Sequence, residues 1–135
     1  MAYAAVQDRL PLECGLLLAA NICYAFAYDT EYAMVDRDDD ARLGIRSSAL
    51  TLGRWDIAAV MASYALMLFF LTLAGRLRSF AWPYHAGLVV AALMMLYHGW
   101  LIRDRSRAGC FRAFRHNNWV GAAIFAGIVA SFAVA

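Results

Sequence analysis

The acidic run in the first third of the chain is the part of the sequence best suited to do chemistry. Residues 28–40 read YDTEYAMVDRDDD. If one helix continues through this run, Asp36 and Asp40 lie within about 20° of Asp29, and the three carboxylates share one face. Like charges on one helix face repel each other, so this arrangement is costly unless a cation binds there. We therefore predict a cation site formed by Asp29, Asp36 and Asp40.

The ligand type and the neighbouring arginines indicate which cation this is. Carboxylate oxygens suit Mg²⁺ or Ca²⁺, and a calcium loop starting at Asp36 fails because Ala41 replaces the required Gly and Ser47 replaces the required Glu. Mg²⁺ usually links one or two carboxylates to a substrate phosphate. Because the nearby Arg37, Arg42 and Arg46 suit phosphate oxygens, the residues predict a Mg²⁺–diphosphate site. The open alternative is a solvated loop in which Asp and Arg neutralise each other.

Apolar segments between the charged clusters indicate the elements that position this site. Of 135 residues, 64% are hydrophobic and 16% charged, whereas a soluble domain has about 45–50% apolar and about 25% charged residues. A transmembrane helix needs about 20 mostly apolar residues. We predict an all-α, multi-pass membrane bundle with four spans, and a soluble bundle of four buried helices is the alternative. The predicted helices lie at about 10–35, 57–75, 80–102 and 117–135, with Asn117 or Asn118 as the cap of the last.

The arginines are distributed unevenly between the two ends of this predicted bundle. Four lie in residues 29–56 and five in residues 103–115, against three elsewhere in the chain. Because arginine-rich loops stay in the cytoplasm, the acidic run is predicted to be cytoplasmic. The net charge of +2 is too small to indicate a nucleic-acid partner.

Polar residues within the first predicted helix form a second candidate site. Asn21, Tyr24 and Tyr28 follow each other at i, i+3 and i+7, so they share one helix face. Polar groups are sparse in membrane helices and are often functional there. These three residues are predicted to line a pocket beneath the acidic run, and the alternative is an interhelical hydrogen bond from Asn21.

The residues of the acidic run resemble a motif of the UbiA family of intramembrane prenyltransferases. Residues 28–48, YDTEYAMVDRDDDARLGIRSS, are similar to the second Asp-rich motif of the members that prenylate 4-hydroxybenzoate in ubiquinone biosynthesis. Residues 110–121, CFRAFRHNNWVG, and 11–14, PLEC, resemble the same members, so the likeness extends over 1–135. The family fold is a nine-helix all-α bundle with two Asp-rich motifs, and this chain resembles its C-terminal half, the last four helices.

This resemblance implies a site, a reaction and a location. By motif, Asp36 and Asp40 would be the catalytic metal carboxylates, Asp29 would support the same metal, and Arg37 and Arg46 would bind diphosphate. The implied substrates are a polyprenyl diphosphate and 4-hydroxybenzoate, with Mg²⁺ as cofactor. The implied location is the inner membrane of a bacterium, where the lipid bilayer surrounds the helices.

The first Asp-rich motif of the family is not found in these residues. The chain is therefore expected to be a C-terminal fragment that is inactive alone, its N-terminal half coming from the same gene or a partner chain. Two other functions stay open. One is a sibling enzyme acting on homogentisate, a naphthoate or haem. The other is a small membrane transporter or assembly subunit, which is disfavoured because transport sites usually lie near the bilayer midplane.

Overall fold

The structure, a computed structural model, describes residues 5, 6 and 8–134. Most of these residues are helical. No strand occurs within these residues, so the predicted all-α class is confirmed. The helices are α1 Leu12–Val35, α2 Arg37–Leu43, α3 Ser48–Leu52, α4 Asp56–Leu77, α5 Trp82–Ile102 and α6 Arg107–Ala133. A 3-10 turn at Gly53–Trp55 lies between α3 and α4.

Local sequence explains several of these boundaries. Gly44 ends α2 in the left-handed conformation, with φ of 70°, which glycine adopts without a steric penalty. Pro83 lies in the first turn of α5, where a missing N–H costs no helical hydrogen bond. Ser106 caps α6, since its hydroxyl oxygen accepts a hydrogen bond of 3.2 Å from the N–H of Gly109. Gly44 and Ser106 thus set helix ends near the acidic run, and Pro83 marks the start of α5 at the other end of the bundle.

The last helix begins at Arg107 rather than near residue 117, and the predicted cap is wrong. Asn117 lies inside α6 and is only 5% exposed, so it caps nothing. The arginines between 107 and 116 indicate a loop by composition. In the structure Arg112 lies on the exposed face of the helix, while Cys110 and Ala113 on the other face are fully buried. The segment is therefore an amphipathic helical turn that extends α6 beyond its apolar part.

The four long helices, α1, α4, α5 and α6, form a closed ring. α1 packs against α4 and α6, and α5 packs against the same two helices. Small residues allow α5 and α6 to pack closely. A Cβ added at Gly87 of α5 would lie 2.9 Å from the carbonyl oxygen of Ala123 and 3.1 Å from the Cα of Gly127 in α6. The core inside the ring contains Val60 and Met95, both nearly fully buried.

Large apolar side chains cover the outside of this bundle. Phe69, Leu93 and Phe125 are 60%, 62% and 66% exposed. Two stretches of the described residues, Ser48–Leu77 and Trp82–Ile102, are long and apolar enough to cross a membrane. An apolar exterior of this extent is typical of a surface covered by lipid or by more protein.

Candidate functional site

The helix does not continue unbroken through the acidic run, which was the condition for a shared face of carboxylates; it is interrupted at Asp36. Val35 ends α1, Asp36 has φ of −97° and ψ of 7°, and α2 begins at Arg37. The three carboxylates therefore do not lie on one unbroken helix, and their assignment to a common metal site stays a prediction. A run of aspartates favours such a break, because the aspartate side chains compete for backbone hydrogen bonds and their charges repel each other within a helix.

Asp36 and Asp40 stay close across this break, whereas Asp29 does not join them. The N–H of Asp40 donates a 2.8 Å hydrogen bond to the carbonyl of Asp36, so the two residues lie one turn apart. Asp29 is exposed on α1, about 10 Å earlier along the helix axis. Within residues 5, 6 and 8–134, no three His, Cys, Asp or Glu side chains are grouped to hold a metal ion.

The remaining pair fits Mg²⁺ in the chemistry of its donors. Asp36 and Asp40 offer oxygen ligands only, and Mg²⁺ commonly takes one or two carboxylates with water and substrate phosphate as the other ligands. Their partial burial leaves both carboxylates reachable from solvent. The assignment of these two residues as metal ligands stays a prediction.

Arg107, the first residue of α6, supplies a positive charge to the acidic run in this structure. Its guanidinium forms an ion pair with Asp39 and lies 3.7 Å from the Oδ1 of Asp36. Its Nε donates a 2.9 Å hydrogen bond to the carbonyl of Val35 at the end of α1. The loop between α5 and α6 is thereby brought against the acidic run, which agrees with their predicted position at one end of the bundle.

A polar cleft lies between the acidic run and this loop. Its volume is about 210 Å³, and four arginines and two aspartates line it. Guanidinium groups bind phosphate oxygens in pairs, so a cleft of this composition suits a phosphate or diphosphate group. The charged residues that line it are Arg37, Arg42, Arg105, Arg107, Asp38 and Asp39.

Only one of the two predicted diphosphate-binding arginines lies in this cleft. Arg37 lines it, with part of its guanidinium bonded to the α3–α4 connection. Arg46 is exposed in the loop after α2 and is not among the residues that line the cleft. Arg42, which the sequence also indicates as suited to phosphate, lines the cleft as well. So do Arg105 and Arg107, for which composition gave no signal beyond membership of an arginine-rich loop.

The predicted pocket of Asn21, Tyr24 and Tyr28 is divided between different surroundings. Asn21 is exposed on the outside of α1. Tyr24 is half-buried, and its hydroxyl donates a 2.7 Å hydrogen bond to the carbonyl of Asn117 in α6. The rings of Tyr24 and Tyr28 meet edge to face at 5.4 Å. Tyr24 and Asn21 also line an apolar cavity of about 270 Å³ with residues of α4 and α6.

A buried polar cluster at the centre of the ring was not predicted. It is formed by Glu31 of α1, Tyr64 of α4, His98 of α5 and Asn117 of α6, all at most 5% exposed. The hydroxyl oxygen of Tyr64 lies 2.9 Å from Glu31 Oε1, 3.1 Å from His98 Nδ1 and 2.9 Å from Asn117 Oδ1. The Nδ2 of Asn117 donates to Glu31 Oε2 at 2.6 Å.

This cluster continues to the surface of the bundle through one more residue. His98 Nε2 lies 2.9 Å from Nδ1 of the half-buried His116. His116 lines an open cavity of about 400 Å³ with Arg112, Arg115 and Trp119. Each of the four long helices thus contributes a polar group to one connected set of hydrogen bonds. Such sets orient membrane helices, because an unpaired polar group is costly in an apolar interior.

The comparisons with known proteins agree on one family. The model of the "UbiA prenyltransferase family" matches residues 1–133. A protein of Methylobacillus flagellatus named 4-hydroxybenzoate octaprenyltransferase is 59% identical over 97% of this chain. Proteins of the same name from Cupriavidus metallidurans and Burkholderia mallei are 55% and 53% identical over 98% and 100% of it. No solved structure matches the chain.

The match covers only part of each relative. The aligned residues make up 44%, 45% and 47% of the three relatives, in the order given above. The chain therefore spans slightly less than half the length of the curated relatives it matches. The resemblance found in the sequence, including its extent over the whole chain and only part of the relatives, is confirmed.

Proposed function

Because this chain belongs to the UbiA prenyltransferase family, we propose that it forms one part of an enzyme that transfers a polyprenyl group from its diphosphate to 4-hydroxybenzoate. The activity is proposed for a protein of the relatives' length that includes these residues. The relatives' names make octaprenyl diphosphate the first donor to test.

The observation that carries this proposal is the 53–59% identity to proteins named 4-hydroxybenzoate octaprenyltransferase over nearly every residue of the chain. The geometry of the acidic end supports it. Asp36 and Asp40 lie one turn apart and partly exposed, close to a cleft walled by arginines. This combination of carboxylates for a metal and guanidinium groups for phosphate is what a diphosphate-binding site requires.

The reaction breaks the bond between the terminal prenyl carbon and the diphosphate oxygen, and it forms a carbon–carbon bond to the ring. The ring carbon beside the hydroxyl is the nucleophile, and its proton leaves afterwards. When bound by Asp36 and Asp40, Mg²⁺ would neutralise charge on the departing diphosphate. Arg37 and the other arginines of the cleft would bind the phosphate oxygens, and Arg46 is retained as a second candidate for that role.

The helices provide the apolar part of the proposed site. The allylic carbon becomes positively charged as the diphosphate departs, so water must be kept away from it. The apolar cavity lined by Tyr24, Met67 and Phe125 opens between α1, α4 and α6 and suits an isoprenoid chain. In this proposal Tyr24 and Tyr28 stand between that cavity and the acidic end.

We extend the proposal to four membrane spans, with α1 and α6 crossing the bilayer beside α4 and α5. α1 and α6 have 24 and 27 residues, which at 1.5 Å per residue is enough to cross a bilayer. The contact of Arg107 with the acidic run supports a common, cytoplasmic side for both loops. The bacterial inner membrane is proposed from the same family resemblance.

The proposal is tested with a hybrid enzyme. This chain replaces the matching segment of the Methylobacillus flagellatus relative, and membranes containing the hybrid receive octaprenyl diphosphate, 4-hydroxybenzoate and Mg²⁺. We expect prenylated 4-hydroxybenzoate, and the unaltered relative is the positive control. Parallel reactions with homogentisate, a naphthoate and haem identify the acceptor. A stable, membrane-inserted hybrid that prenylates none of them contradicts the proposal, and preference for another acceptor contradicts the choice of 4-hydroxybenzoate.

A further inference from the structure

Asp56, the first residue of α4, is a fully buried carboxylate that the proposed reaction does not use. Its side chain has no exposed surface. A buried carboxylate is costly unless charged partners and hydrogen bonds surround it. The N–H of Ile57 donates to its Oδ1 at 2.7 Å, and all its other partners come from two distant segments.

Arg105, in the loop between α5 and α6, is the first of these partners. Its Nε lies 3.1 Å from both carboxylate oxygens of Asp56, and its Nη2 donates to Oδ1 at 2.8 Å and to the carbonyl of Arg54 at 3.1 Å. The hydrogen bonds to Asp56 raise the pKa of Arg105 further above its usual value. Arg105 has φ of 54°, a left-handed backbone that a non-glycine residue adopts only when its surroundings hold it there.

Arg37, the first residue of α2, is the second partner. Its Nη2 lies 2.9 Å from Asp56 Oδ2. The same nitrogen donates to the carbonyls of Ala49 in α3 and Gly53 in the 3-10 turn, at 2.6 Å and 2.9 Å. One carboxylate thus connects the acidic run, the α3–α4 connection and the α5–α6 loop.

These connections fix the direction of a short helix that has few other contacts. α2 has seven residues, and none of them is buried. Because Arg37 is directed inward to Asp56, the helical spacing sets Asp40 about 60° to one side of it and Asp39 about 160° away. The carboxylate of Asp56 therefore controls where the acidic side chains of α2 point.

We infer that Asp56 is a positioning residue for the diphosphate site: its contacts with Arg37 and Arg105 orient the acidic run and hold two arginines on the wall of the cleft. This inference rests on the proposed function for the identity of the ligand, but not for the geometry it describes. A neutral residue at position 56 would free both guanidinium groups and let α2 rotate. The simple alternative is an ion pair that contributes to stability alone.

The experiment uses the hybrid enzyme in lipid nanodiscs and compares Asp56→Asn with a matched control. The control is Ser131→Ala, at the opposite end of the bundle. This change also removes a buried side-chain hydrogen bond, because the N–H of Ala81 donates to the Ser131 Oγ at 2.8 Å. Amide hydrogen exchange is followed without ligand in residues 36–46 and 79–84. Binding of inorganic pyrophosphate is then measured by calorimetry in the presence of Mg²⁺.

Asp56→Asn is expected to speed exchange in residues 36–46 and to weaken pyrophosphate binding by about tenfold or more, the equivalent of one charge-assisted hydrogen bond. Ser131→Ala should change exchange in residues 79–84 only and leave the affinity unaltered. Unchanged exchange in residues 36–46 of Asp56→Asn, or the same profile in both variants, overturns the inference.

A second variant keeps the test decisive if Asp56→Asn does not fold. Arg105→Gln changes an exposed loop residue and leaves Asp56 paired with Arg37. The same local rise in exchange and a weaker affinity are expected, and normal values for both contradict the inference. A hybrid without substitutions that binds no pyrophosphate speaks against the proposed diphosphate site, while the exchange data decide the role of Asp56 separately.

Discussion

Replacing Tyr64 by Phe tests whether the buried polar cluster holds the four helices together. The change removes one hydroxyl group and keeps the ring, so the packing of α4 is preserved. The lost hydroxyl lies within 3.1 Å of side chains from three other helices: Glu31, His98 and Asn117. Interhelical hydrogen bonds in a membrane protein contribute about 0.6 kcal/mol each on average. Three such contacts give an expected loss of about 2 kcal/mol in the free energy of unfolding.

Tyr84→Phe provides the matched control. Tyr84 is as deeply buried as Tyr64, but its hydroxyl makes one hydrogen bond, 2.7 Å to the carbonyl of Leu71. Its loss should cost about 0.6 kcal/mol, roughly a third of the effect at Tyr64. Both variants are unfolded with sodium dodecyl sulfate in bicelles, and helix content is followed by circular dichroism. Equal costs for the two variants, or a smaller cost at Tyr64, would refute the cluster as an interhelical link.

Three further changes probe the frame around the site. Ser106→Ala removes the cap of α6 and should lower the free energy of unfolding by about 1 kcal/mol in the same assay. Gly87→Ala should lower the free energy of unfolding by about 1–3 kcal/mol, because the new methyl group would lie 2.9 Å from the carbonyl oxygen of Ala123. As a control, Gly121→Ala places a methyl group with nothing within 4 Å and should leave the free energy of unfolding unchanged or raise it. Arg107→Gln removes exposed ion pairs and should leave the free energy of unfolding nearly unchanged, so a large loss of stability would contradict the description of that contact.

The broad architecture could be predicted from composition and charge spacing, because those features follow from burial of apolar side chains. The expected spans at 57–75 and 80–102 correspond closely to α4, Asp56–Leu77, and α5, Trp82–Ile102. The start of α6 could not be found in this way. The number of arginines in a segment does not show the direction in which their side chains point. On α6 the arginines lie on the face away from the buried Cys110 and Ala113, so the segment is helical in spite of its charge.

The details of the site depend on contacts between residues far apart in the chain. The break at Asp36 accompanies the attachment of Arg37 to carbonyls 12 and 16 residues later. Glu31 lies in the first predicted helix, but by sequence it belongs to a charged cluster at the end of that helix and gives no sign of burial. Its burial depends on Tyr64 and Asn117, which are 33 and 86 residues away. Helical periodicity within one segment carries no information about such partners.

The most direct test of the central claim is the rate of octaprenyl transfer to 4-hydroxybenzoate by the hybrid enzyme carrying Asp36→Asn or Asp40→Asn. Both carboxylates are proposed to hold the Mg²⁺ that neutralises the leaving diphosphate, so each change should lower the rate by about a hundredfold or more. Asp104→Asn, which alters an exposed carboxylate on the same side of the bundle, should leave the rate nearly unchanged. Near-normal transfer by both Asp36→Asn and Asp40→Asn would contradict the account.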